Sequence, residues 1–233
     1  MAIYKGNKKV VAVYKGSTPI NKIYKGVTLV FQKSGGGGST HLIEGTATEN
    51  FSMKINDYEI IHITPDADGK WFYDTGEKIT SLNRTFNRVS AVTSVDLSNL
   101  DLTDISTVSM FSGSSNIKSI KFNNTKSMKL TKMSSMFSGC RSLTSLDLSS
   151  FDTSNITNAF SSFSNCISLV SLDLSNFDMS KVESYTNMFY NCNKLTHIKC
   201  KQAFKDWCIT NQDTIKLPPA MREGGSGTWE IIV

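Results

Sequence analysis

Five cysteines are the residues of this sequence best equipped for chemistry: Cys140, Cys166, Cys192, Cys200 and Cys208. A cysteine can serve as a thiolate nucleophile, a disulfide partner or a zinc ligand. The first three stand 26 residues apart, with Val89 and Ser114 at the equivalent earlier positions. Zinc sites draw on closely spaced Cys and His pairs, and no histidine accompanies these thiols. A position that accepts Val, Ser or Cys is a packing slot, so the sequence predicts three buried, inert thiols. For Cys200 and Cys208 a disulfide closing the last repeat is one reading. The odd total and the lack of a secretory signal favour reduced thiols.

Other reactive groups are sparse. "PDADGKW", from Pro65 to Trp71, opens like a calcium loop with Asp66, Asp68 and Gly69. It lacks the third oxygen ligand and the closing Glu, so an Asp-Gly turn is the better reading. His41, His62 and His197 are scattered, and there is no nucleophile elbow, zinc-protease helix or phosphate loop. The chain reads as non-enzymatic, with no cofactor and no metal.

What positions these residues is a repeat. "SSMFSGCRSLTSLDLSSFD", Ser134 to Asp152, recurs as "SSFSNCISLVSLDLSNFD" from Ser161, and Phe111, Phe137, Phe163 and Phe189 are 26 apart, with Phe86 25 before the first. A fixed period of this size means stacked units. The pattern Leu143-x-x-Leu146-x-Leu148 returns as Val92-Val95-Leu97, Ile117-Ile120-Phe122, Leu169-Leu172-Leu174 and Leu195-Ile198-Cys200. Its last positions alternate apolar and polar, the period of a strand with one buried face. Such strands bury their apolar side only by lying beside copies of themselves.

The segment "SSMFSGCRSLTSLDLSSFDTSNI" resembles the BspA-like branch of the leucine-rich repeats, the 26-residue bacterial surface-protein repeat, over roughly Ser81 to Lys201. Departures fall at the ends and in the second unit, where Ser114, Thr125 and Lys121 replace the usual Cys, Phe and Asp. The resemblance implies an α/β fold, a right-handed leucine-rich-repeat solenoid of about five coils with a parallel sheet. It implies adhesion or ligand binding and no catalytic residues.

The expected organisation is a small all-β meander at 1–33, a Gly/Ser tether at 34–39, an N-terminal cap at 40–80, the repeats at 81–200 and a C-terminal cap at 201–233, with Trp207 and Trp229 covering the last core. Residues 1–33 repeat Tyr-Lys-Gly at 4, 14 and 24. They carry seven lysines and no acid, +7, which leaves 18 basic against 20 acidic residues, −2, elsewhere. A basic segment with Tyr4, Lys5, Tyr14, Lys15, Tyr24 and Lys25 could hold nucleic acid by phosphate contact and stacking. The favoured reading is that the tyrosines pack a small core, lysines guard its edges, and the segment docks on another protein. The repeats of this segment look similar to short repeats at the ends of phage structural proteins.

Strand residues pointing away from the core form the candidate binding face: Ser94, Asp96 and Ser98; Ser119, Lys121 and Asn123; Ser145, Asp147 and Ser149; Ser171, Asp173 and Ser175; His197, Lys199 and Lys201. Short hydroxyls around spaced charges suit a glycan or a polar protein surface, while a merely solvated face is the plain alternative. With 39% hydrophobic residues and no apolar run of membrane length, no membrane span is expected.

Two settings follow. In the first the protein is a virion appendage of a tailed phage, made in the host cytoplasm without an export signal. It docks on a virion structural protein through 1–33 and meets a host glycan or protein with its repeats. The alternative is an adhesin on the bacterial cell surface. A homo-oligomer fits either, although no heptad pattern specifies one.

Overall fold

The computed structural model describes residues 3–5, 8–10, 14–15, 18–19, 42–57, 59–74, 79–100, 102, 105–122 and 128–232. Four short strands come first: β1 (Ile3–Lys5), β2 (Lys8–Val10), β3 (Tyr14–Lys15) and β4 (Thr18–Pro19). They form two antiparallel pairs, β1 with β2 and β3 with β4.

Next come β5 (Leu42–Ala47), β6 (Phe51–Ile55), β7 (Glu59–Ile63) and β8 (Lys70–Asp74). β6 and β7 make a hairpin whose turn contains Asn56 and Asp57, both left-handed. The Asn56 side chain accepts the amides of Thr80 and Ser81, which fastens this turn to the first repeat. β5 lies antiparallel between β8 and the first repeat strand, β9 (Val92–Asp96). Gly45 permits that approach, because a Cβ there would sit 1.9 Å from the Ser94 carbonyl oxygen and 2.9 Å from the Trp71 ring.

The repeat strands continue as β10 (Ser119–Lys121), β11 (Met128–Lys129), β12 (Ser145–Asp147), β13 (Phe151–Asp152), β14 (Ser171–Leu174) and β15 (His197–Lys201). The helix α1 (Gln202–Thr210), a 3-10 turn at Pro219–Met221 and β16 (Thr228–Ile232) end the chain. The larger sheets are β10-β9-β5-β8 and the all-parallel β12-β14-β15-β16; β11 pairs with β13.

The expected α/β solenoid with one parallel sheet is therefore corrected. The protein is mostly β, its strands fall into several small sheets, and α1 is the one α-helix among the described residues. Hydrogen-bonded strand order breaks between β10 and β12, in the unit whose residues depart from the repeat pattern.

The missing helices have a backbone cause. In each repeat the segment around the phenylalanine places two residues at positive φ: Arg84 and Arg88, Ser109 and Gly113, Ser135 and Gly139, Ser161 and Asn165, Asn187 and Asn191. Left-handed residues at this density cannot continue an α-helix. The amides instead alternate between partners. The Cys140 N–H donates back to the Phe137 carbonyl, as in a tight turn, while the Phe137 and Gly139 N–H groups donate to the Ser162 and Ser164 carbonyls of the next unit. Short turns thus cross-link neighbouring repeats where a helix would bond only to itself.

The core is a ladder of side chains. Phe86, Phe111, Phe137, Phe163 and Phe189 are fully buried and stack with centroids 5.4, 5.8, 5.6 and 5.5 Å apart, within 8° of parallel. Trp71 covers the first ring at 5.8 Å, and Phe51 packs edge-on against Trp71 at 5.0 Å. At the other end Trp207 packs edge-on against Tyr185 at 5.2 Å, and Phe204 against Phe177 at 5.9 Å. Leu143, Leu146 and Leu148 and their counterparts complete this core.

Candidate functional site

Period-2 alternation places the polar strand residues on one side. Leu146 and Leu172 are buried, while Asp147 and Asp173 on the next positions pair across β12 and β14. The parallel register then sets Lys199 beside Asp173, and Glu230 of β16 beside Lys199. β9 and β10 bring Asp96 and Lys121 together in the same way.

Most of these charges satisfy one another. Lys121 Nζ lies 3.0 Å from Asp96 Oδ2, Lys199 Nζ 3.2 Å from Asp173 Oδ2, and His197 Nε2 3.1 Å from Glu230 Oε2. Asp147 has no ion pair among the described residues. Burial opposes the charge on Asp96, but hydrogen bonds from Ser98 and the Lys121 ammonium outweigh it and hold its carboxyl below the usual range. The bond to Asp173, reinforced by its charge, raises the Lys199 ammonium above the ordinary lysine value.

Each aspartate also closes its own strand. Asp96, Asp147 and Asp173 accept the amides of Ser98, Ser149 and Ser175 at 2.8, 2.9 and 3.1 Å, forming Asx-turns. Asp152 and Asp178 do the same with Ser154 and Ser180 on the next bend. Hydrogen bonds from Ser154 hold the Asp152 carboxyl below its usual range. The hydroxyls of Ser98 and Ser175 bond to these same aspartates, so they belong to the turn more than to the face.

Across β12, β14 and β15 the face forms a depression of about 250 Å³, lined by Ser145, Asp147, Ser171, Asp173, His197 and Lys199 together with Leu146 and Leu172. These are the candidate residues that the fold brings together. Ser94 and Ser119 lie on the separate β9–β10 pair, where Ser94 Oγ is tied to Thr46. Ser175 is buried, Lys201 is exposed at the end of β15, Ser149 is half-buried, and Asn123 lies outside the described residues. Of the docking candidates, Tyr4 and Lys5 lie in β1 and Tyr14 and Lys15 in β3, while Tyr24 and Lys25 lie outside the described residues.

Sequence reasoning missed Glu230, which prolongs the charged row. The signal was there in "TWEII", whose alternation of Trp229, Glu230 and Ile231 has strand period.

All five cysteines are buried and free. The ladder does more than pack: the Cys140, Cys166 and Cys192 thiols donate to the Phe111, Phe137 and Phe163 carbonyls of the preceding repeat at 3.3, 3.0 and 2.9 Å. Ser114 makes the same bond to Phe86. Val89, in the first unit, has no earlier phenylalanine of the ladder to reach. Burial pushes the Cys140 thiol up to about 12 and Cys200 to about 11. Hydrogen bonding with Cys192, then burial, raises Cys166, and burial raises Cys208. Cys140, Cys166, Cys200 and Cys208 are thereby held in the thiol form at neutral pH.

In the "PDADGKW" turn Asp66 Oδ1 accepts the amides of Asp68 and Lys70, both at 2.9 Å, and Gly69 is left-handed. Among the described residues no cluster of His, Cys, Asp and Glu could hold a metal ion, and no helix is long and apolar enough to cross a membrane.

Neither curated proteins nor solved structures yield a match to the chain. Residues 75–212, more than half of the 233, match a family, and they include the phenylalanine stack and the charged strand face as far as Lys201. The chain accordingly belongs to the family described as "Mycoplasma protein of unknown function, DUF285".

Proposed function

We propose that this chain is a non-enzymatic binding protein whose open strand face engages a glycan or a polar protein surface on a cell. The observation that carries this reading is the depression over β12, β14 and β15. Its wall offers the hydroxyls of Ser145 and Ser171, the Asp147 carboxylate, which has no ion pair among the described residues, and the charged or polar ends of Asp173, Lys199 and His197. Hydroxyl, carboxylate, ammonium and imidazole groups ring the depression, an array of donors and acceptors that fits a hydroxyl-rich ligand. Each direct hydrogen bond adds only about 1 kcal/mol net, so useful affinity needs several together or several copies of the protein.

The setting proposed is a virion appendage, with the lysine-rich residues 1–33 docking on a virion structural protein. A second reading, an adhesin on a bacterial cell, draws on the family description, which names a bacterium. Both readings use the same face and differ in what holds the other end.

Binding of the full chain to a glycan array and to whole bacterial cells tests the proposal. Saturable binding is expected, weakened about fivefold by Asp147→Asn, the equivalent of about 1 kcal/mol. Tight, salt-sensitive binding to DNA, with none to glycans or cells, would replace this reading by one of nucleic-acid binding through the basic segment.

A further inference from the structure

A second concavity lies at the end of the chain, between α1 and the loop that runs from the 3-10 turn into β16. It measures about 620 Å³ and shares no residue with the depression on the strand face. That volume lies within the range of about 300–1,000 Å³ usual for small-molecule pockets.

The loop that forms it is held in place. A Cβ on Gly225 would sit 2.4 Å from the Ala220 carbonyl oxygen, and one on Gly227 2.4 Å from Met221 Sδ, so only glycine lets the loop lie down on the 3-10 turn. The Trp229 N–H donates to the Met221 carbonyl at 3.2 Å, which fixes the indole and satisfies its one polar group. The half-buried Trp229 packs against the core and also lines the cavity.

The polar wall divides into fixed and free groups. Arg222 is held by the Leu217 carbonyl and Asp213 at 2.8 and 2.9 Å, and Asp206 accepts a hydrogen bond from Gln202 at 2.7 Å. Lys205 and Glu223 have neither an ion pair nor a side-chain hydrogen bond among the described residues. Two cations, Lys205 and Arg222, face two anions, Asp206 and Glu223, so the cavity has no net charge to attract an ion.

We propose that this cleft binds a neutral saccharide ring, stacked on Trp229 and hydrogen-bonded through Lys205 and Glu223. A sugar ring has an apolar C–H face and a rim of hydroxyls that both donate and accept. The cleft supplies a pre-fixed aromatic side chain for the first, and an ammonium and a carboxylate in its lining for the second. The inference does not depend on the reading of the strand face.

Titration of the full chain with maltotriose, chitotriose, lactose and mannotriose, followed by calorimetry and tryptophan emission, tests it. At least one of the four should bind saturably with a Kd of about 1 mM. Trp229→Ala should weaken that binding at least about tenfold. Since Trp229→Ala removes a side chain of β16 and could loosen the strand, Glu223→Gln, at an exposed position, provides the second variant and should also weaken binding several-fold. The proposal is overturned if none of the four sugars binds at about ten times that concentration, or if either variant binds as well as the parent. Selection of a peptide ligand by the same cleft, with no sugar bound, would overturn it equally.

Discussion

Replacing Phe163 by alanine tests the stacked core at its best-defined point. The ring is fully buried and lies between Phe137 at 5.6 Å and Phe189 at 5.5 Å, both within 5° of parallel. A buried Phe→Ala change costs about 3–5 kcal/mol through lost transfer energy and the cavity left behind. Each aromatic neighbour adds about 0.5–1.5 kcal/mol beyond area burial, and this ring has two, so the upper end of the range, about 5 kcal/mol, is expected. Phe160, three residues earlier and 41% exposed, is the internal control and should lose less than about 1 kcal/mol. Urea unfolding followed by circular dichroism measures both, and the slope with denaturant shows whether the whole chain still unfolds together. A loss at Phe163 below about 1 kcal/mol, or no larger than that at Phe160, would refute the claim that the ring stack holds neighbouring repeats together.

Two further outcomes follow from the titratable groups. With Cys140 held up to about 12 and Cys200 to about 11, and all five cysteines buried, a thiol reagent at pH 8 should label none in the native chain and all five after denaturation; rapid native labelling of Cys166 would contradict the ladder. Asp96 has its folded pKa below the ordinary 3.8, so its contribution to stability is present above about pH 4 and is lost as the pH falls through the lower folded value. Asp96→Asn keeps the Asx-turn acceptor but drops the pair with Lys121, and should flatten the fall in urea midpoint between pH 5 and 3; an unchanged acid limb would show that the pair contributes nothing.

The phenylalanine spacing was legible because a constant residue at a constant period leaves few other places for a large apolar ring. The Val, Ser and Cys slot was legible as a packing position for the same reason, but its hydrogen bond was not. A thiol reaching the carbonyl 29 residues earlier leaves no mark in a linear pattern, although the Ser114 substitution, a hydroxyl in the same place, was the hint.

The expected helices failed on residues such as Arg84, Arg88 and Ser135, which hold left-handed conformations that chain chemistry does not advertise; Gly113 and Gly139, and Asn165 and Asn191, were the visible clues. Of the candidate face, the polar alternation was readable and the Asx-turns were not. Asp-x-Ser at 96, 147 and 173 looks like ligand chemistry until the amide of the serine is seen bonded to the carboxylate. The terminal cleft depends on α1, a loop and β16 meeting in space, which no local pattern encodes.

The turn ladder has a direction. Phe86, Phe111, Phe137, Phe163 and Phe189 all donate their amides toward the C-terminus, to Met110, Met136, Ser162, Met188 and finally Ile215. At the opposite end the Thr85 carbonyl accepts from Lys54 of the hairpin. In the turns every internal junction therefore joins a phenylalanine amide to the carbonyl just before the next phenylalanine, and only the two ends differ. Adding or removing a whole unit reconnects like with like and leaves both end contacts intact, whereas a partial unit breaks the match. The number of units is thus free to drift under duplication and deletion while the phase within a unit is fixed, so a gene of this kind can change the length of the exposed strand face without redesigning either end.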